Sequence, residues 1–178
     1  YAWRRSPNEA PRAFFEPDPR ADWAERIRRA TGDSPYYWPI SAVSVDGAVY
    51  VALLRVAPAT ASGPFRLPFR LVGVDLARIE PSDRPPDQWP IRYSTLSERM
   101  NVFPAASLVV DGDWLHVFAF LERGDGRSPR ILLRLSLASL ASGRASLEGE
   151  LETLAEDGDW IAGLDPDRAR ILMDDDAS

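Results

Sequence analysis

Trp38-Pro39, followed by Ala42-Val43-Ser44-Val45-Asp46-Gly47 and Val49-Tyr50-Val51, returns as Phe103-Pro104, followed by Ser107-Leu108-Val109-Val110-Asp111-Gly112 and Trp114-Leu115-His116. The two copies stand 65 positions apart. Each reads as a short strand of alternating, often β-branched residues, an Asp-Gly turn and a second strand, which is a strong local signal for a β-hairpin. A third apolar strand follows each hairpin, Leu71 to Ile79 in the first copy and Ile131 to Leu137 in the second. A fourth is predicted near Trp89-Pro90-Ile91-Arg92-Tyr93 and near Ser146 to Leu151.

Four consecutive strands per repeat describe a propeller blade, whereas helical solenoids repeat helix pairs and an immunoglobulin-like sandwich has no need to repeat. The fold class expected is therefore all-β: a partial β-propeller of about two four-stranded blades with flanking strands and one short N-terminal helix. In that expectation residues 1–178 form one partial domain. Residues 1–35 give outer strands and a helix of a preceding blade, 36–97 and 98–156 are blades, and 157–178 lead into another. The helix is expected to be capped by Asp18 and started by Pro19, to present Trp23, Ile27 and Ala30 on one face, and to stop at Gly32. An open run of blades leaves sheet faces without neighbours, so the missing blades of a parent chain are the expected partners there, and the stretch by itself is expected to associate.

Composition narrows the chemistry. The absence of cysteine removes disulfides, thiolate metal sites and thiol nucleophiles. The net charge is −6, and from Ala145 onward eleven acidic side chains face only Arg168 and Arg170, a balance that repels phosphate backbones and argues against nucleic acid. No apolar run approaches the roughly 20 residues of a membrane-spanning helix. No Gly-x-Ser-x-Gly elbow, phosphate-binding lysine loop or dinucleotide glycine pattern occurs, and one histidine cannot build a two-histidine metal site. No cofactor and no metal are expected.

At Tyr36-Tyr37-Trp38-Pro39, Val45-Asp46-Gly47, Leu71 to Ile79 and Trp89, the sequence resembles a bacterial domain-of-unknown-function family of five-bladed propellers related to glycoside hydrolases. The resemblance implies an exported or envelope-bound protein whose relatives include endo-D-arabinanases, with a furanose-rich cell-wall polysaccharide as partner. The family's early Gly-Asp-Thr segment has no match here, because Gly32-Asp33-Ser34 follows the helix, so this stretch is expected to bind rather than cleave. The other reading is a non-catalytic propeller that binds glycan or protein.

Glycoside hydrolysis needs two carboxyl groups flanking the scissile bond. In a propeller such groups enter from the segments before the innermost strands. Those segments offer Asp33, Tyr36, Tyr37, Trp38 and Ser41 in the first copy and Glu98, Asn101 and Phe103 in the second. The catalytic carboxylates are not assigned. Tyr36, Tyr37, Trp38, Ser41, Glu98 and Asn101 are the substrate-binding candidates. Trp38 is either a stacking face for sugar or a packing residue, and its replacement by Phe103 in the repeat argues for packing. Asp46 and Asp111 read as turn residues, His116 as a packed strand residue aligned with Val51, and Asp174-Asp175-Asp176 as a solvated loop.

Overall fold

The structure, a computed structural model, describes residues 2–3, 12–18, 21–59, 68–99, 101–122 and 127–174; of 2–3 and 12–13 only the backbone is described. Its elements in chain order begin with the paired short strands β1 (Ala2–Trp3) and β2 (Arg12–Ala13) and the helix α1 (Asp22–Thr31). The strands β3 (Tyr36–Val45), β4 (Ala48–Pro58), β5 (Phe69–Ile79) and β6 (Ile91–Ser97) then form a four-stranded sheet in sequence order. A second sheet holds β7 (Val102–Asp111), β8 (Trp114–Leu121), β9 (Arg130–Ser136), β10 (Glu152–Leu154) and β11 (Trp160–Ala162), also in sequence order and antiparallel. A short helix, α2 (Leu137–Ala141), follows β9. The fold is all-β, with one helix of seven or more residues among the described residues, and none of their helices is long and apolar enough to cross a membrane.

The described residues divide into two compact units, 1–38 with 55–71, and 39–54 with 72–178. In the first unit α1 buries Trp23, Ala24 and Ile27. Trp23 packs against Tyr37 with ring centroids 5.6 Å apart, and the buried Arg55 places its guanidinium 5.0 Å from the Trp23 ring. Gly32 closes the helix in a left-handed conformation, φ 77°, with its N–H on the Arg28 carbonyl, as its position in the sequence predicted. The start of the helix differs from expectation. Its N-cap is Ala21, without a side-chain cap hydrogen bond; the Asp18 carbonyl accepts the Ala21 N–H at 2.9 Å, and Pro19 lies outside the described residues. Ala30 lies in the last turn and is exposed, so Ala24 completes the buried face in its place.

In the second unit both hairpin turns are present, but their chemistry differs. Asp46 and Gly47 occupy the first turn with φ 48° and 78°, the two left-handed residues of a type I′ turn. In the second, Asp111 is still in strand, paired with Trp114, and the loop is Gly112-Asp113 with only Gly112 at positive φ, 54°. The turns at 46–47 and 112–113 are thus 66 positions apart, one more than the sequence repeat. Asp111 is a strand end and Asp46 a turn residue, although the sequence writes them alike. Counted from the turns, His116 corresponds to Tyr50 rather than Val51, and Phe103 to Tyr37 rather than Trp38.

Alternation accounts for the second sheet's core: Leu115, Val117, Ala119 and Leu121 on β8 and Ile131, Leu133 and Leu135 on β9 are buried, while the residues between them are half-buried. The expected fourth strand at Ser146 to Leu151 is corrected. Thr95 on β6 donates to the Ala145 carbonyl and accepts from the Leu147 N–H, both at 2.8 Å, so the backbone there is already used. Residues Glu148–Glu150 form a 3-10 turn, and the strand is β10. Leu137, expected as strand, begins α2, because the Ser136 hydroxyl caps it by accepting the Ser139 N–H at 3.0 Å. Beyond residue 156 the chain turns at Gly158, φ 93°, and adds β11 to the same sheet.

Candidate functional site

Strand alternation sorts the three aromatic residues at the start of β3. Tyr36 and Trp38 share a face and are 44% and 45% exposed, whereas Tyr37 points the other way into the Trp23 contact. The Trp38 indole is held by Phe69, edge-on at 5.5 Å and 71°. Trp38 is therefore available as a stacking face and does not share the packing role of Phe103, which is fully buried and stacked on Phe120 at 5.0 Å. Tyr37, one of the candidate binding residues, is a core residue instead. Asp33, in the same unit, is exposed just after the helix, its N–H on the Thr31 hydroxyl at 3.1 Å.

In the second unit the candidates separate. Ser41 is half-buried and donates its hydroxyl to the Ala105 carbonyl at 2.8 Å, a tie between β3 and β7. Asn101 is exposed, and its backbone carbonyl receives the Glu122 N–H at 2.9 Å. Glu98 lines an open cleft of about 530 Å³ together with Thr95, Arg99, Ser146, Glu148 and Leu164. Glu148 accepts the Glu98 backbone N–H at 2.9 Å through one carboxylate oxygen and lies 3.6 Å from Arg99 Nε through the other. Glu98 is the one candidate binding residue in this cleft; Ser41 and Asn101 do not line it.

Sequence reasoning missed Glu148 and Arg99. Glu148 stands 50 residues from Glu98, and nothing local marks it; the Thr95 backbone pairing with Ala145 and Leu147 brings it there. The sequence also missed an ordered aromatic and charged cluster on the second sheet. Arg134 lies between the rings of Trp114 and Trp160, at 3.8 and 4.2 Å, and pairs with Glu152 at 2.6 Å. His116, opposite Arg134 in the β8–β9 ladder, packs at 5.7 Å from Trp160, in keeping with the expected strand role. Among the described residues no group of three or more His, Cys, Asp or Glu side chains is placed to hold a metal ion. Asp174 lies 3.7 Å from Arg127, and Asp175 and Asp176 fall outside the described residues.

No family model and no curated protein matches the chain. Its chemistry is therefore read from its own residues.

One phenol has a displaced equilibrium. Burial holds the Tyr50 pKa above its ordinary 10.0, with Asp46 and Glu80 adding to the rise and Arg78 opposing it. A raised folded-state pKa means that the folded state holds the proton more tightly than the unfolded one. Its contribution to stability is complete below the unfolded value and is lost as pH rises through the folded value. Stability is expected to fall above about pH 10, and Tyr50→Phe should flatten that alkaline limb while leaving the neutral range nearly unchanged. Urea midpoints measured across the alkaline range check this, and an unchanged limb in Tyr50→Phe would refute it.

Proposed function

We propose that this chain is the sugar-binding part of an exported, propeller-type protein related to glycoside hydrolases, directed at a furanose-rich cell-wall polysaccharide of the arabinan type. The observation that carries the reading is Trp38, an indole nearly half exposed, braced from the side by Phe69 and accompanied on its face by Tyr36. Sugar rings present C–H faces that stack on such aromatic planes, with a few directed polar groups setting orientation. Two antiparallel sheets, each opening with a two-residue-turn hairpin, support the propeller architecture.

The chain's role in this proposal is binding rather than cleavage. Glu148 is engaged by the Glu98 N–H and Arg99, a structural use of a carboxylate, which also favours the second reading, a propeller that binds glycan without cutting it. The two readings share a first test. Arabinan oligosaccharides titrated by calorimetry are expected to bind, and Trp38→Ala should weaken binding about five- to tenfold, the worth of one aromatic contact of about 1 kcal/mol. Equal affinity in wild type and Trp38→Ala would remove the binding reading. Release of reducing sugar by the chain alone would overturn the assignment of binding without cleavage.

A further inference from the structure

Ala48, Tyr50, Ala52 and Leu54 lie on one face of β4 and are almost fully buried. Counted from the two turns, their counterparts on β8 are Trp114, His116, Phe118 and Phe120, and all four are only half-buried. The second copy of the repeat thus covers this face less fully than the first, and with larger side chains. Its Phe120 end is closed by the fully buried Phe103, and the opening lies toward Trp114, His116 and Phe118. Leu132, opposite Phe118 in the ladder, continues the open face across β9, and Leu154 with Trp160 continues it across β10 and β11.

The charge on this face differs from that of the chain. Arg134 is paired with Glu152 within the face and enclosed by the two indoles, and Arg130 lies over the Phe120 ring at 5.7 Å. Asp111, opposite Trp114, sits at the edge of the face. The patch is close to neutral on a chain of net charge −6 whose last third is strongly acidic. A contact between two copies is repelled by charge over most of such a surface, and least where charge is internally compensated and the area is apolar.

We propose that the open face of the second sheet is the interface of a two-fold dimer of this chain. A two-fold contact sets a patch against itself, so the patch must be self-complementary. An apolar sheet face with its own compensated ion pair meets that requirement, and an acidic face does not. Association buries the aromatic side chains together with their compensated ion pair. The inference goes beyond the glycan-binding reading and does not depend on it.

Neighbouring residues of β7 provide the test. Val109, opposite His116 in the ladder, is 46% exposed on the open face; Val110 is 37% exposed on the other. Both are accessible, so a glutamate at either site is compatible with folding. Sedimentation equilibrium of the 178-residue chain across the micromolar range is expected to give twice the 19.8 kDa chain mass. Val109→Glu should shift the dimerisation midpoint at least about tenfold to higher concentration, and Val110→Glu should leave it in place. A monomer throughout, an open series of larger assemblies, or equal effects of the two substitutions would overturn the proposal.

Discussion

Phe103→Ala is expected to lower stability by about 3–5 kcal/mol, whereas Trp38→Ala is expected to lower it by less than about 1 kcal/mol, in line with other exposed substitutions. The sequence repeat sets these two aromatic residues in the same place. The structure separates them, because Phe103 has no exposed surface and stacks on Phe120, while Trp38 keeps nearly half of its surface in water. Removing the Phe103 ring takes away its stack on Phe120 and leaves a cavity at a site with no exposed surface. Removing the Trp38 ring takes away one edge contact with Phe69. Urea unfolding followed by far-ultraviolet circular dichroism measures both variants. Similar losses in the two would mean that Trp38 is a packing residue, and the binding proposal would lose its main support.

Arg134→Ala should cost about 2–3 kcal/mol, the combined scale of a desolvated cation–π contact and a charge-assisted hydrogen bond. Arg134 holds three partners at once: Trp114 at 3.8 Å, Trp160 at 4.2 Å and Glu152 at 2.6 Å. Its removal leaves a half-buried carboxylate without its cation and two indoles without the plane between them. Arg134→Lys should recover little, because an ammonium is a compact point charge and cannot fill a flat gap between two rings while forking to a carboxylate. Near-ultraviolet circular dichroism reports the indoles and urea midpoints report stability. Full recovery in Arg134→Lys would show that charge alone, without planarity, sustains the cluster.

Much of the fold was legible because hairpins are local. Asp46-Gly47 and Gly112-Asp113 sit between alternating strands, and that pattern needs only neighbours along the chain to act. The helix end at Gly32 was legible for the same reason. Errors arose where a distant partner competes for the backbone. Residues 145–147 carry a plausible strand pattern, yet Thr95 takes their hydrogen bonds and the strand forms later, at Glu152–Leu154. The one-residue slip of the second turn was likewise hidden, since Asp111-Gly112 satisfies the Asp-Gly pattern while Asp111 pairs with Trp114 and hands the turn to Gly112-Asp113.

The candidate site was legible only as a set of residue types. Reading Tyr36-Tyr37-Trp38 as one aromatic run overlooks the period of two, which sends Tyr37 to the Trp23 contact and leaves its neighbours outside. Glu98 was found, but its companion Glu148 was not, because sequence distance carries no signal of a contact made through two backbone hydrogen bonds on another segment.

By itself, the amino-acid order determined that this chain is β-rich, repeats a hairpin-led unit, closes its helix at Gly32 and lacks the means for thiol or two-histidine metal chemistry, since each follows from neighbours or composition. Only the tertiary structure decided which of two repeat-equivalent aromatics is buried, where the second turn and the fourth strand fall, and that Arg134 joins Trp114, Trp160 and Glu152. Those outcomes depend on which face of a strand meets a partner and on which backbone groups a distant segment has already used. Both are set by long-range pairing, and local pattern does not contain it.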